Sequence, residues 1–501
     1  MKKTFAILCL LCLSLGLQAQ KQFGERPRLV VGVVVDQMRW DYLSRYYGQF
    51  GDGGFRRLID EGYSCDNCLI NYLPTVTAIG HTSVYTGTSP AFHGICGNNF
   101  VIDGRSTYCT ADSTVQTVGA PGSKGCQSPR NMLATTIGDQ LRLHTDFRSK
   151  VVGVSYKDRA AILPAGHSAN AAYWLDTRNL CFISSTYYMT ELPAYVSEVN
   201  AAIAANKEAR KAGERIGYTP LCGTLTTDMA IAALRGERLG KGEATDMLCV
   251  SYSQTDVIGH EWSTRGGRID EAYLQLDRDL ARLLNALDEQ VGRDGYLLFL
   301  TADHGAAHNW KFMNEHNMPA GPLYIADMRK SIEEQIKAKT GATKDVIMSI
   351  GDYRVFLDHK SISAQGIGLQ RVKDIVMDCL RSAEGVVTVV DFEKVRTSAL
   401  PELLVDRITM GYYPGRSGDI IFIPEPQHYS WWADVAPTHT THGEWNPYDA
   451  HIPLLFYGWH IGHGATSREV HITDIAPTVC QMLHIQQPNA CSGEAITEIT
   501  K

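Results

Sequence analysis

The chain has 501 residues, of which 44% are hydrophobic and 20% are charged, the composition of an ordinary globular protein. This excludes a disordered, collagen-like or multi-pass membrane protein, and the length allows a large core without disulfide bonds. The formal net charge of −7 makes the chain a poor general binder of nucleic acid or of an anionic membrane. An anionic substrate would therefore need locally concentrated positive charge or metal ions.

The N-terminus has the pattern of a secretory signal peptide. Lys2 and Lys3 precede an apolar stretch of 13 residues, Phe5 to Leu17, which is too short to span a bilayer. A small residue, Ala19, follows as a cleavage position. We therefore expect a signal peptide over residues 1–19, a catalytic domain over 20–501, and export to the periplasm without stable membrane association.

The cysteines leave several possibilities open. Cys65 and Cys68 form a C-x-x-C pair, which suits a redox motif or half of a zinc site, but no second pair follows. Cys109 and Cys126 flank a segment rich in Gly, Ser and Thr, and a disulfide between them is possible in an oxidising compartment.

Alternating strand and helix patterns predict an α/β fold. Four apolar, β-branched runs have the pattern of strands buried on both faces of a parallel sheet: 28–35, 151–154, 247–252 and 296–301. Ser128 and Pro129 resemble a helix start ahead of Met132 to Leu141, and Ile269 to Leu287 follows helical spacing. We expect a mostly parallel sheet with helices on both faces.

Residues from about 342 to 415 differ from this pattern. A strand over Tyr353 to Leu357, a helix near Leu369 to Leu380 and a strand over Val386 to Phe392 predict a small inserted α+β subdomain. Gly418 to Ile423 then resumes the buried-strand pattern.

Each of the four predicted strands is followed by carboxylates, imidazoles or cations. They are Asp36 after the first strand, Lys157 to Arg159 after the second, Asp256 and His260 after the third, and Asp303 with His304 after the fourth. One such Asp is often only a helix cap, but parallel strands bring all four to one edge. His442 lies close in sequence to the extended run 451–454. Together these side chains provide enough ligands for two ions, and a mixture of carboxylates and imidazoles suits zinc.

A Thr-rich segment, Asn71 to Phe100, lies between the first two strands. It contains Thr75, Thr77 and Thr82. A threonine at a helix N-terminus beside a metal can serve as a nucleophile, and a capped turn is the simpler alternative.

Taken together, these segments resemble the alkaline phosphatase superfamily, and more narrowly the periplasmic PafA-type alkaline phosphatases with a threonine nucleophile. The motifs occur in order from about residue 28 to 485: PTVTAIGHTSVYTG, HGICGNN, YKDRAAILPAGH, QTDVIGHEW, TADHG, THG and DIAPT. One departure, Ile79 where family members often have proline, affects no functional position.

The resemblance implies two zinc ions and a set of site residues. One zinc would bind Asp256, His260 and His442; the other would bind Asp36, Asp303 and His304, with Thr77 bridging as nucleophile. Asn98, Lys157 and Arg159 would contact phosphate. Asn99 is the alternative to Asn98 for this role. Asp158, between Lys157 and Arg159, would point away if the segment is extended. His81, His93, His167 and His451 would have structural roles.

The resulting prediction is a two-zinc alkaline phosphatase that hydrolyses small phosphate monoesters through a phospho-threonine. The alternative within the superfamily is a phosphodiesterase or nucleotide pyrophosphatase. Lys157 and Arg159 favour the monoesterase, because a monoester has three phosphoryl oxygens to neutralise and a diester two. An inactive, zinc-stabilised binding protein is the alternative from another class, and the missing C/S-x-P-S-R motif argues against a sulfatase.

Overall fold

The computed structural model describes residues 26–431, 436 and 438–500. The predicted signal peptide over residues 1–19 lies outside these ranges. Within them, no helix combines the length and the apolar character that crossing a membrane requires.

A ten-stranded sheet forms the centre of the molecule. Its five middle strands are all parallel, and their buried β-branched and apolar residues face helices on either side. In spatial order, the ten strands are Gly464–Thr466, Tyr63–Cys65, Leu454–Gly458, Tyr296–Thr301, Leu29–Val35, Asp246–Tyr252, Val151–Ser155, Ala171–Asp176, Cys181–Ser185 and Thr117–Val118.

Two groups of helices flank this sheet. The helices of the first group pack on one another and are Thr77–Thr86, Ile137–His144, Asp158–Ala165 and Ile475–Met482. Those of the second group are Phe55–Glu61, Ala194–Ala205, Leu221–Gly236, Gln254–Trp262 and Gly267–Val291. The four strands predicted from apolar runs, the long helix at Gly267–Val291 and the α/β fold class are therefore confirmed.

The predicted helix start at Ser128 is wrong. The helix begins at Ile137, and Thr136 caps it reciprocally with Asp139, whose carboxylate accepts from the Thr136 N–H at 2.9 Å. Ser128 instead donates its hydroxyl to Asp112 at 2.6 Å and stabilises a loop. The true capping pair satisfies two free N–H groups of the helix, which the Ser-Pro pair would not.

A second, antiparallel sheet has its own hydrophobic core. Its strands in spatial order are Ile347–Gly351, Arg354–Leu357, Ile420–Pro424 and Val386–Asp391, and its helices are Ile325–Thr340, His359–Ala364 and Leu369–Arg381. This unit extends past the expected limits of 342 and 415, because Ile332, Ile336 and Phe422 complete its core.

The remaining elements are short. Small sheets pair Gly321–Tyr324 with His428–Trp431, Cys68–Leu69 with His451–Ile452 and Val470–His471, and Asn99–Ile102 with Arg105–Tyr108. Short helices are Asp41–Tyr46, Tyr47–Gln49, Pro90–His93, Lys207–Ala212, Gly213–Tyr218, Arg293–Gly295, Trp310–Glu315, Phe392–Thr397, Glu402–Gly411, Pro447–Ala450 and Ile472–Asp474.

All eleven cysteines within the described residues are free thiols. The disulfide considered for Cys109 and Cys126 is therefore not formed. Burial raises the pKa of Cys65 to about 12 and that of Cys68 well above its usual range. These thiols stay protonated at neutral pH, which argues against a redox role for the C-x-x-C pair.

Candidate active site

The polar residues that follow the central strands meet at one edge of the sheet. Asp36 follows the strand Leu29–Val35, whose last residue lies opposite Tyr252 in the neighbouring parallel strand. Tyr296–Thr301 runs parallel on the other side and leads into Asp303 and His304. The carboxyl ends of parallel strands thus bring residues more than 200 positions apart into contact.

Two groups of potential metal ligands lie at this edge. Within each group, the ligand atoms are no more than 4.8 Å from one another. One group consists of Asp256, His260 and His442; the other consists of Asp36, Asp303 and His304. These are the two sets that the sequence motifs implied.

The three histidines present the same ring nitrogen to the site. In each, Nδ1 lies next to a backbone carbonyl, which can only accept a hydrogen bond, so Nδ1 carries the proton. The carbonyls belong to Thr440, Thr75 and Gly305, at 2.8, 2.7 and 2.9 Å from His260, His442 and His304 respectively. Nε2 is left as a lone-pair donor, the arrangement found around metal-binding histidines.

The carboxylates also fit a cationic ligand. Among the described residues, Asp36 Oδ1 and Asp303 Oδ2 are buried without a hydrogen bond, although His81 Nδ1 lies 3.1 Å from Asp303 Oδ2. Burial, and after it the Asp303 carboxylate, raise the pKa of Asp36 well above its usual range. Burial would also raise the pKa of Asp256, but His260 and Lys157 outweigh it and the pKa falls well below normal. Three buried carboxylates facing one lysine leave a negative charge that divalent cations would neutralise.

Lys157 lies between the two groups. Its Nζ donates to Asp36 Oδ2 at 2.7 Å and to Asp256 Oδ2 at 2.6 Å, and the side chain is 8% exposed. One cation therefore connects one carboxylate from each group. It is placed where a phosphate held between two metal sites would need positive charge.

Thr77 differs from the two neighbouring threonines in what its hydroxyl contacts. Thr75 donates to the Glu444 carbonyl at 2.9 Å, and Thr82 donates to the Ala78 carbonyl within its own helix at 2.7 Å. The hydroxyl of Thr77 lies 3.4 Å from Nε2 of His304. Thr77 is also the first residue of the helix Thr77–Thr86, so its backbone adjoins the positive end of the helix dipole.

A glycine allows this helix to approach the metal ligands. A Cβ added at Gly80 would lie 2.3 Å from the carbonyl oxygen of Asp303. Only a residue without a side chain permits this distance, which accounts for glycine in the T-A-x-G-H motif.

Asn98 and Arg159 lie beside the N-terminus of the same helix. The carbonyl oxygen of the Asn98 side chain accepts from the Ala78 N–H at 3.1 Å, whereas Asn99 is exposed and begins a strand. Arg159 Nη1 donates to the Tyr108 hydroxyl at 3.0 Å, and its Nε is buried with no hydrogen-bond partner among the residues that the structure describes. Both residues retain N–H groups that a phosphate oxygen could accept from.

Asp158 was expected to point away from this region if its segment were extended. The structure shows that it does not. The helix Asp158–Ala165 begins at this residue, and the carboxylate accepts from the Tyr108 hydroxyl at 2.5 Å. The helical turn, and not strand alternation, sets its direction.

The other four histidines of the motifs lie outside both ligand groups. Nδ1 of His81 is 2.9 Å from the Thr77 carbonyl and 3.1 Å from Asp303 Oδ2, so this ring supports both residues. His93, His167 and His451 contact Ser83, the Ala134 carbonyl and the Asp66 carbonyl.

Gln37 is a site residue that the sequence analysis missed. Its backbone N–H donates to Asp303 at 3.1 Å and its side chain donates to Asp256 at 2.6 Å, so it connects both ligand groups. It has a positive φ of 65°, and Gly259 packs against it, where a Cβ would lie 1.9 Å from the Gln37 amide oxygen. In the sequence, only its position next to Asp36 could have indicated that Gln37 belongs to the site.

Comparison with known proteins identifies the family of this chain. The sequence matches the family described as type I phosphodiesterase / nucleotide pyrophosphatase over residues 30–445. A crystal structure of wild-type alkaline phosphatase PafA superimposes with a TM-score of 0.91 at 43% identity, covering 95% of this chain and 100% of that chain. The chain therefore belongs to the type I phosphodiesterase / nucleotide pyrophosphatase family, within the alkaline phosphatase superfamily.

Two curated relatives match over almost their full length. Alkaline phosphatase PafA of Elizabethkingia meningoseptica is 43% identical over 543 residues, covering 98% of each chain. A Myroides odoratus protein named calcium-transporting ATPase is 43% identical over 522 residues, covering 95% of each chain. The predicted resemblance to PafA-type enzymes is confirmed, and the comparisons support a phosphatase of this superfamily.

Proposed function

We propose that this protein is a two-zinc alkaline phosphatase that hydrolyses small phosphate monoesters through a phospho-threonine at Thr77. One observation carries the proposal: the Thr77 hydroxyl lies 3.4 Å from His304 in one group of potential metal ligands, and Lys157 connects that group to the other. The 43% identity to alkaline phosphatase PafA gives independent support.

Zinc is the proposed metal because each ligand group combines imidazole with carboxylate. All-oxygen shells are typical of magnesium and calcium, whereas histidine nitrogen and carboxylate oxygen suit zinc. When bound, two zinc ions would supply positive charge to the attacking and leaving oxygens of the phosphoryl group. Asp256, His260 and His442 would hold one ion, and Asp36, Asp303, His304 and Thr77 the other.

Thr77 would act as the nucleophile. The Thr77 hydroxyl gives up its proton to water as its oxygen attacks phosphorus. The bond from phosphorus to the ester oxygen breaks, and that oxygen takes up a proton from water and leaves as the alcohol. Water then attacks the phospho-threonine, which releases inorganic phosphate and restores the hydroxyl. The N-terminus of the helix Thr77–Thr86 adds backbone N–H groups that favour a bound anion.

Lys157, Arg159 and Asn98 would hold the phosphoryl oxygens. Arg159 has a half-buried guanidinium with an unpaired Nε, and Asn98 can donate its amide N–H groups. A monoester carries charge on three non-bridging oxygens, so these donors favour monoesters over diesters. The family description keeps phosphodiester hydrolysis as the second candidate function.

Export to the periplasm belongs to this proposal. The apolar stretch Phe5 to Leu17 supports it through its signal-peptide pattern. N-terminal sequencing of the protein recovered from a periplasmic extract should begin near residue 20.

The decisive experiment compares aryl monoester and aryl diester turnover on purified, zinc-loaded protein. We expect kcat/KM for the monoester to exceed that for the diester. Faster diester turnover would replace the monoesterase with a phosphodiesterase. Absence of turnover on both substrates would favour a zinc-stabilised binding protein.

A further inference from the structure

A two-stranded hairpin joins the residues proposed to bind phosphate. Its strands are Asn99–Ile102 and Arg105–Tyr108, and Asn99 lies opposite Tyr108. The Cys109 N–H donates to the Asn98 carbonyl at 3.0 Å and closes the hairpin next to these residues. Asn98 and Tyr108 therefore belong to one rigid unit.

Tyr108 forms two hydrogen bonds from one hydroxyl. It donates to Asp158 Oδ1 at 2.5 Å and accepts from Arg159 Nη1 at 3.0 Å. The Arg159 guanidinium can only donate and an ionised Asp158 carboxylate can only accept, so the direction of both hydrogen bonds of the Tyr108 hydroxyl is fixed. Burial, although opposed by Arg159, raises the pKa of Tyr108 above its usual range and keeps the hydroxyl protonated.

The Tyr108 hydroxyl is the one protein group that hydrogen-bonds the Arg159 guanidinium within the described residues. The Asp158 carboxylate also accepts from the Arg159 backbone N–H at 2.5 Å, so Asp158 holds both the backbone and the tyrosine. Without the hydroxyl, a long and flexible arginine side chain would have to be ordered by the substrate alone, at an entropic cost.

We infer that Tyr108 is a positioning residue that orients the Arg159 guanidinium and so contributes to selectivity for phosphate monoesters. The inference rests on the proposed function, in which Arg159 contacts the phosphoryl group. Asn98 and Arg159 are then set relative to each other by the same hairpin. A monoester, with three oxygens to satisfy, depends on this arrangement more than a diester does.

The test is a double-mutant cycle with Tyr108→Phe and Arg159→Ala, measured as kcat and KM on an aryl monoester and an aryl diester. Tyr108→Phe keeps the ring and removes only the hydroxyl. We expect kcat/KM for the monoester to fall about three- to tenfold, with the diester changed less than twofold. In the Arg159→Ala background, Tyr108→Phe should have no further effect, because the group it orients is absent.

Tyr47→Phe is the matched control. The Tyr47 hydroxyl also donates to a carboxylate, Asp60 at 2.7 Å, and lies on the surface. Arg56 lies over the Tyr47 ring, 5.3 Å from its centroid, but within the described residues no arginine donates a hydrogen bond to the Tyr47 hydroxyl. Tyr47→Phe should leave both substrates unchanged. Equal losses of kcat/KM on both substrates, or additive losses in the double variant, would overturn the positioning role. In either case, Arg159→Ala by itself would still test the role of Arg159 in the proposed function. Full monoester turnover in Arg159→Ala would overturn the positioning role and the proposed contact of Arg159 with phosphate, while the phosphatase function itself would stand.

Discussion

At the scale of single residues, the site depends on which hydrogen bonds are already satisfied. The Nδ1 atoms of His260, His304 and His442 donate to carbonyls, which leaves every Nε2 free to bind a metal. Thr75 and Thr82 likewise donate to carbonyls, whereas the Thr77 hydroxyl faces His304. The proposed nucleophile is therefore the one threonine of these three whose hydroxyl contacts a potential metal ligand and not a backbone carbonyl.

Replacing Thr77 tests the nucleophile. We expect Thr77→Ala to lose turnover by roughly a hundredfold or more, because no oxygen remains to attack phosphorus. Thr77→Ser should retain part of the activity, since the hydroxyl is kept. Steady-state kinetics with metal analysis on each variant provides the measurement, and zinc content should stay near that of the unmodified protein.

Thr75→Ala and Thr82→Ala are the controls for this series. Their hydroxyls donate to backbone carbonyls, so the cost should be about 1 kcal/mol of stability with turnover largely kept. If either variant is inactive while Thr77→Ala is active, Thr77 is not the nucleophile.

Removal of Lys157 or Arg159 tests substrate selectivity. A lost charge-assisted contact costs roughly 1.5–3 kcal/mol, so each alanine variant should lose about ten- to a hundredfold in monoester kcat/KM. Diester kcat/KM should fall less, and the double variant should narrow the gap between the two substrates. Identical losses on monoester and diester would assign the pair to metal or fold stability instead.

At the scale of elements, the site depends on how closely a helix approaches a strand end. The helix Thr77–Thr86 carries Thr77 and contacts Asp303 through Gly80. The hairpin formed by Asn99–Ile102 and Arg105–Tyr108 carries Tyr108, which holds Arg159 through a hydrogen bond. Both elements set the position of side chains that are proposed to contact substrate.

Gly80→Ala tests this close approach. A Cβ 2.3 Å from the Asp303 carbonyl must move the helix or the loop, which should cost roughly 1–3 kcal/mol in the free energy of unfolding and lower zinc affinity. Urea denaturation and zinc titration supply the measurements. Gly267→Ala is the control, because no atom lies within 4 Å of its added Cβ at the start of the helix Gly267–Val291. Equal behaviour of the two variants would contradict the packing argument.

At the scale of the whole molecule, metal binding should be linked to stability. The two ligand groups draw on residues from 36 to 442, so a bound ion connects distant parts of the chain. An ion that binds the native state alone stabilises it by about 2.7 kcal/mol when its concentration is a hundred times Kd.

Chelation and reconstitution test the metal requirement. Metal analysis should find about two zinc ions per chain, and a chelator should abolish turnover and lower Tm. Zinc should restore both, and magnesium at equal concentration should restore less, because the histidines favour zinc. Full turnover in protein shown to be metal-free would rule out the two-zinc mechanism.

The sequence by itself determined the elements that depend on local pattern. The buried strands Leu29–Val35 and Tyr296–Thr301 and the helix Gly267–Val291 follow from apolar periodicity, which is a short-range property. The short motifs also identified the residues that the structure brings together in the two ligand groups, because each carries its own recognisable neighbours.

Tertiary structure alone decided the features that need partners distant in sequence. Nothing near Tyr108 in the sequence indicates that its hydroxyl meets Arg159, 51 positions later. The strand Ile420–Pro424 has the same buried pattern as the main-sheet strands, yet it pairs with Val386–Asp391 in the second sheet. The apolar pattern of a segment indicates that it is buried, but it does not indicate which strand it pairs with. The pairing energy comes from contacts that form only when the chain folds.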